Sequence, residues 1–136
     1  MQTLHASAVA FDGQGVLLTG PSGSGKSSLA LELIAFGGVL VADDQVVLEP
    51  RSDGVWLVAP EPLEHRVEAR GVGILQTPTR ASRLEVVVDM SKSEDMRLPP
   101  ERNIDIAGAT FPLLRKVESP SFAAMLIVYL KGERLA

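Results

Sequence analysis

Apolar positions along the chain fall into short runs punctuated by glycine, proline and aspartate. Leu4 to Phe11 predicts a strand, Asp12-Gly13-Gln14-Gly15 a turn, and Val16-Leu17-Leu18-Thr19 a second strand, so this segment reads as a β-hairpin. A glycine-rich stretch follows. Ser27 to Ala35 predicts a helix with Leu29, Ala30 and Leu33 on one face, stopped by Gly37-Gly38. Val39 to Ala42 reads as a short buried strand ending in Asp43-Asp44. Gln45 to Glu49 and Val55 to Val58 predict another hairpin, turned by Ser52-Asp53-Gly54. Pro60 to Glu68 reads as a loop with one helical turn, Gly71 to Leu75 as a short apolar piece, and Leu84 to Met90 as a clear strand. Ser91 to Glu101, charged and holding Pro99-Pro100, predicts a solvated loop. Ile104 to Val117 predicts strand broken at Gly108, and Ser119-Pro120 opens a helix that runs to Lys131. The fold class is α/β: a mixed sheet with few helices.

Length and charge narrow the function classes. The 136 residues suit one domain, taken here as 4–136, with no room for a separate substrate domain. The net charge is −4 and the arginines are scattered among acids, which argues against a nucleic-acid partner. Without cysteine, disulfides and thiolate chemistry drop out. No signal-peptide pattern is visible, and the longest apolar run, Phe122 to Leu130, is about half of a membrane span, so a cytoplasmic location without membrane contact is expected.

The glycine-rich stretch carries the strongest chemistry. Gly20-Pro21-Ser22-Gly23-Ser24-Gly25-Lys26-Ser27, with Ser28 after it, fits the G-x-x-x-x-G-K-[ST] phosphate loop between a strand and a helix. Its glycines let backbone N–H groups turn inward around phosphate oxygens. The helix points its positive end at the same anion. Lys26, expected to be solvated, supplies a mobile charge, and the Ser27 hydroxyl is placed to ligate Mg²⁺. A right-handed strand–helix–strand unit brings Asp43 and Asp44 to the same sheet edge as Gly20. One carboxylate could hold the metal and the other accept a proton from an attacking hydroxyl. If the four-residue turn closes the first hairpin, Phe11 faces Val16 and His5 faces Ser22, inside the loop. His65 reads as a surface residue.

These pieces resemble the catalytic domain of the bacterial HPr kinase/phosphorylase family, whose P-loop core is related in fold to phosphoenolpyruvate carboxykinase. Leu4-His5-Ala6-Ser7 resembles its histidine strand and Gly20 to Ala30 its phosphate loop and helix. Leu40-Val41-Ala42-Asp43-Asp44 resembles its acidic strand end, and Glu68-Ala69-Arg70-Gly71-Val72-Gly73-Ile74 its E-x-R-G-x-G-I signature. The resemblance implies ATP and Mg²⁺ as cofactors and a serine on HPr, or on an HPr-like phosphocarrier, as target. It assigns phosphate to Lys26, magnesium to Ser27 and Glu68, and the base role to Asp44 with Asp43 beside it and His5 in support. Arg70, Gly71 and Gly73 belong to the signature, and Arg83 is the best match to an arginine on the transferring phosphate.

The family carries an N-terminal domain that is not seen in this sequence, a longer loop where Thr77 to Arg83 stands, and a long C-terminal helix. Its Pro-Gly-Arg-Asn turn appears here as Ser119-Pro120-Ser121-Phe122. A short-form kinase with weak phosphorylase activity is therefore expected, and a homo-oligomer is left open. Two other readings remain in the residues: a P-loop kinase for a small molecule, with Arg97 or Arg102 in a lid, and a module that senses ATP without transferring phosphate. The carboxylates of Asp43, Asp44 and Glu68 speak against the latter, because a sensor needs no base.

Overall fold

The computed structural model describes residues 1–132 and 134–136. Its strands are β1 (Gln2–Leu4), β2 (Ala6–Phe11), β3 (Gln14–Thr19), β4 (Val39–Ala42), β5 (Val46–Arg51), β6 (Gly54–Val58), β7 (Arg66–Ala69), β8 (Gly73–Gln76), β9 (Ser82–Ser93), β10 (Asn103–Ile106) and β11 (Ala109–Lys116). The helices are α1 (Lys26–Ala35) and α2 (Phe122–Lys131), with a 3₁₀ turn at Glu61–Leu63. The expected mixed α/β class is what the chain adopts.

The first hairpin is tighter than the sequence pattern implies. Phe11 pairs with Gln14 and Val9 with Val16, so Asp12-Gly13 is a two-residue turn. Both residues have positive φ, 49° and 77°, the condition for the turn whose twist matches the flanking strands. The expected pairing of Phe11 with Val16, and hence of His5 with Ser22, is thus off by two residues. A two-residue shift keeps every side chain on its face, so His5 still points to the loop edge.

The main sheet runs β1-β5-β6-β9-β3-β2-β4. Strand β4 pairs antiparallel with β2, which pairs antiparallel with β3. β3 and β4 therefore run the same way with β2 between them, and both end at one edge, as the strand–helix–strand argument requires. β9 is long enough to serve three partners: β3 along one side in parallel register, β6 near its start and β11 near its end. Its pairing to β11 through Lys116 and Ser93 extends it into the expected loop.

The sheet also curls on itself. β1 and β2 are one run of chain broken at His5, and β4 and β5 one run broken at Asp43-Asp44-Gln45. These runs lie side by side, with Leu4 facing Val46, the Ala6 N–H donating to the Asp44 carbonyl at 3.2 Å, and Ala8 facing Ala42. Small residues, Ala6, Ala8, Ala10 and Ala42, line the inside of the curl with Leu17, Leu48 and Leu57. The opposite face packs Val16, Leu18, Val86 and Val88 against Leu29 and Leu33 of α1 and Phe122 and Leu126 of α2. Burial on both faces explains the near-continuous apolar runs in β3 and β9.

Two elements differ from the sequence expectation. Residues Arg66 to Glu68, read as part of a loop, form with Ala69 a strand that pairs with β8 in a separate two-stranded sheet. Helix α2 begins at Phe122, not at Pro120, with Ser121 at its N-cap.

Candidate active site

The phosphate loop bridges the end of β3 and the start of α1. Gly25 caps the helix at φ 97°, a left-handed conformation that a β-carbon would strain. A cavity of about 250 Å³ opens over the loop and is lined by Ser22, Gly23, Gly25, Lys26, Ser27 and Ser28 from the loop side, and by His5, Ser7, Asp44, Glu68 and Arg70 from the other. Residues from the two chain breaks, the phosphate loop and the β7–β8 hairpin thus meet at one place.

Lys26 is not solvated as expected. It is 7% exposed, and its ammonium donates to the carbonyls of Gly20 and, at 3.1 Å, Pro21. The loop's own carbonyls hold the charge over its mouth.

The two aspartates have separate environments. Asp43 is buried and accepts three hydrogen bonds. Ser7 and Ser27 donate to Oδ1 at 2.7 and 2.9 Å, and the Glu68 N–H donates to Oδ2 at 3.1 Å. It ties β2, α1 and β7 together through one carboxylate. Asp44 has φ 74° and a side chain 65% exposed, and its Oδ1 lies 3.0 Å from His5 Nε2. The left-handed backbone at Asp44 turns successive carboxylates to different surroundings, one into the core and one to the cavity.

Glu68 and Arg70 stand on β7 and just after it, both exposed, in a loose 3.8 Å pair. Such an exposed pair contributes little to stability, and Glu68 lines both this cavity and the next together with Ser27. Gly71 and Gly73 shape the hairpin end. A second cavity of about 300 Å³, lined by Ser27, Asp43, Asp44, Arg66, Glu68 and Ile74, adjoins the first through Asp44 and Glu68.

Arg83 does not belong to this assembly. It pairs with Gln14 in β3 and Trp56 in β6, whereas the loop end of β3, Thr19, pairs with Asp89. At a strand rise of ~3.3 Å per residue, Arg83 lies roughly 20 Å down the sheet from the phosphate loop. The expectation fails because β9 begins at Ser82 and runs parallel to β3 from its far end. Arg70 lines the cavity in its stead.

Two contributors escaped the sequence reading. Ser7, fully buried among alanines and valine, orients Asp43; a lone hydroxyl in an apolar strand was the available signal. Lys116, at the end of β11, donates from Nζ to the Ser24 carbonyl at 3.2 Å. Nothing in its local sequence pattern marks it.

The donors present, a hydroxyl and two carboxylates, are the hard oxygen ligands that suit Mg²⁺. Among the described residues no group of three or more His, Cys, Asp or Glu side chains forms a closed metal cage.

The model of the HPr serine kinase C-terminal domain family matches residues 1–98. The chain belongs to that family. An HPr kinase/phosphorylase of Chloroherpeton thalassium is 34% identical over 128 residues, which cover 84% of this chain and 38% of that protein. One from Burkholderia lata is 40% identical over 119 residues, covering 78% of this chain and 37% of its own length. The chain thus spans less than half of these curated relatives. The structure of the HPr(Ser) kinase/phosphatase from Coxiella burnetii superimposes with a TM-score of 0.82 at 24% identity, covering 99% of this chain and 97% of that one, so the two share a fold. Among the described residues of this family member, no helix is long and apolar enough to cross a membrane.

Proposed function

We propose that this family member is an ATP-dependent protein kinase that phosphorylates a serine on HPr, or on an HPr-like phosphocarrier of the phosphotransferase system, in the cytoplasm. Residues 4–136 would act as one catalytic domain of the phosphoenolpyruvate carboxykinase-like P-loop type. The observation that carries the reading is the meeting of Lys26, Ser27, Asp44, His5 and Glu68 around one cavity over the phosphate loop.

The chemistry follows from the groups present. Loop N–H groups and the start of α1 bind the phosphates. Lys26 exchanges the Gly20 and Pro21 carbonyls for phosphate oxygens. Ser27 and Glu68, with Asp43 orienting the Ser27 hydroxyl, would hold Mg²⁺, which supplies charge neutralisation on the β- and γ-phosphates. The acceptor hydroxyl approaches from the Asp44 side. Its oxygen bonds to the γ-phosphorus, the bond to the β-phosphate oxygen breaks, ADP leaves, and Asp44 takes the hydroxyl proton. His5, 3.0 Å from Asp44, orients that carboxylate. A protein acceptor is favoured by the β7–β8 hairpin, where Val72 and Ile74 stand 77% and 65% exposed and Ile74 lines the second cavity.

The test is incubation with labelled ATP, magnesium and purified HPr. Label on an HPr serine is expected; label on small molecules alone, or ATP binding without transfer, would refute the reading. The reverse reaction, release of pyrophosphate from phosphoserine-HPr and phosphate, is expected to be roughly ten- to a hundredfold slower. Ser121-Phe122 offers no arginine to hold free phosphate, and Phe122 is packed into the core. Equal forward and reverse rates would show that turn to be dispensable.

A further inference from the structure

A cavity of about 380 Å³ lies on the other flank of the phosphate loop and plays no part in the chemistry above. Gly25 and Ser28 line both this cavity and the one over the loop, so the two meet across the first turn of α1. Its size falls in the ~300–1,000 Å³ range of small-molecule sites. Met90 and Phe122 give it an apolar wall, while Glu32 and Glu118 stand at its edge.

A nucleoside triphosphate with its phosphates in the loop must send its sugar to one flank. The β4 flank is crowded with the carboxylates of Asp43, Asp44 and Glu68 and is needed by the acceptor. The opposite flank offers an apolar surface for a base and carboxylates that accept hydrogen bonds from ribose hydroxyls, the recognition that acidic residues perform in nucleotide sites. Lys116 stands where the two cavities join. Its Nζ is 3.2 Å from the Ser24 carbonyl and 3.6 Å from a Glu118 oxygen, and a β-carbon on Gly25 would come within 3.7 Å of it.

We propose that this cavity is the nucleoside subsite, with the base against Met90 and Phe122, the ribose between Glu32 and Glu118, and Lys116 beside the phosphate nearest the sugar. The proposal rests on the phosphate reading of the loop.

The test compares magnesium ATP with magnesium tripolyphosphate by calorimetric titration. Wild type should bind ATP at least about tenfold more tightly, the scale of one or two charge-assisted hydrogen bonds. Glu32→Trp, an exposed helix position, should fill the cavity and bring ATP down to the affinity of tripolyphosphate, with tripolyphosphate unchanged. Should that variant melt early, Glu118→Gln, with a several-fold loss for ATP alone, serves instead. Photolabelling with 8-azido-ATP should mark the peptides holding Glu32 or Lys116 to Phe122. Equal affinity of wild type for the two ligands, or label confined to residues 43–76, overturns the subsite while leaving the phosphate site standing. Failure of wild type to bind either ligand overturns the phosphate reading and the subsite with it.

Discussion

On the β4 flank of the phosphate loop, Asp43 has every carboxylate oxygen engaged and holds three elements in place, while the carboxylate of its neighbour Asp44 meets His5 and the cavity. On the β11 flank, Lys116 reaches a loop carbonyl, and its strand is pinned by a half-hidden ion pair. Arg102 donates to Glu94, whose side chain is 6% exposed and whose N–H donates to the Lys116 carbonyl at 2.7 Å. One flank is built from carboxylates that orient and accept, while on the other a single lysine, Lys116, holds a loop carbonyl beside a cavity with an apolar wall and the carboxylates of Glu32 and Glu118. On the proposed kinase reading, the first flank takes the acceptor and the second the nucleoside.

The sharpest way to break this contrast is Lys26→Ala. Loss of a pre-set charge typically costs about 3–4 kcal/mol of transition-state stabilisation, or 10²–10³ in rate. Phosphoryl transfer to HPr should fall at least that far, with a modest drop in melting temperature because the lysine also ties two loop carbonyls. Near-wild-type turnover in a folded variant would end the reading.

The aspartates should then separate. Asp44→Asn should lower kcat about 10²–10⁴-fold, the usual contribution of a general base, with the KM for ATP nearly unchanged. Asp43→Asn should lower thermal stability and raise the magnesium requirement, since it disturbs Ser7, Ser27 and the β7 backbone together. A mild Asp44→Asn beside a crippled but fully stable Asp43→Asn would reverse the two roles. Glu68→Gln should raise the magnesium concentration for half-maximal rate about tenfold, a typical cost of disturbing a metal's surroundings; an equal loss of nucleotide binding in calorimetry would count against its metal role.

The β11 flank responds to acid. Burial pushes the Glu94 carboxyl up, but the Arg102 hydrogen bond, the Met96 N–H and the charges of Arg102 and Arg115 outweigh it and hold its pKa below the ordinary carboxylate value. A depressed pKa means that the folded state prefers the ionised form. Its stabilisation is fully present above the ordinary carboxylate pKa and is lost as pH falls through the lower, folded value. Thermal melts should show Glu94→Gln less stable than wild type near neutrality, with the gap closing in acid; a gap that stays constant with pH would remove the ion pair from the account. The smallest effect belongs to Arg83→Ala, expected to leave kcat within about twofold, as for a substitution away from any special feature. A drop comparable to that of Asp44→Asn, read in the same HPr assay, would restore Arg83 to the site.

The phosphate loop, the aspartates and the strand order around them were legible because each rests on local rules: a glycine pattern, a helix stop, and two parallel strands ending at one edge. The hairpin register was not, because Asp12-Gly13 and Asp12 to Gly15 are both credible turns and only the backbone twist selects the shorter. β7 was hidden because its alternation, Arg66 and Glu68 out, Val67 and Ala69 in, covers too few residues to stand out among charges. Arg83 was misplaced because sequence order after the signature says nothing about which end of β9 a residue occupies.

The paired runs through His5 and through Asp43-Asp44 also bear on which length changes the chain can survive. Asp43 is buried and Asp44 exposed because the run places Asp43 against Ser7 and Ser27 and the left-handed backbone at Asp44 turns the next carboxylate away. Removing a single residue from Val39–Ala42 would draw Asp43 into the place of Ala42, inside the curl and away from Ser7 and Ser27, and press Asp44 into the buried place of Asp43. Natural variation in chain length should therefore be shut out of residues 5–8 and 39–44, while the exposed stretch from Asp95 to Leu98 can lengthen without disturbing either aspartate.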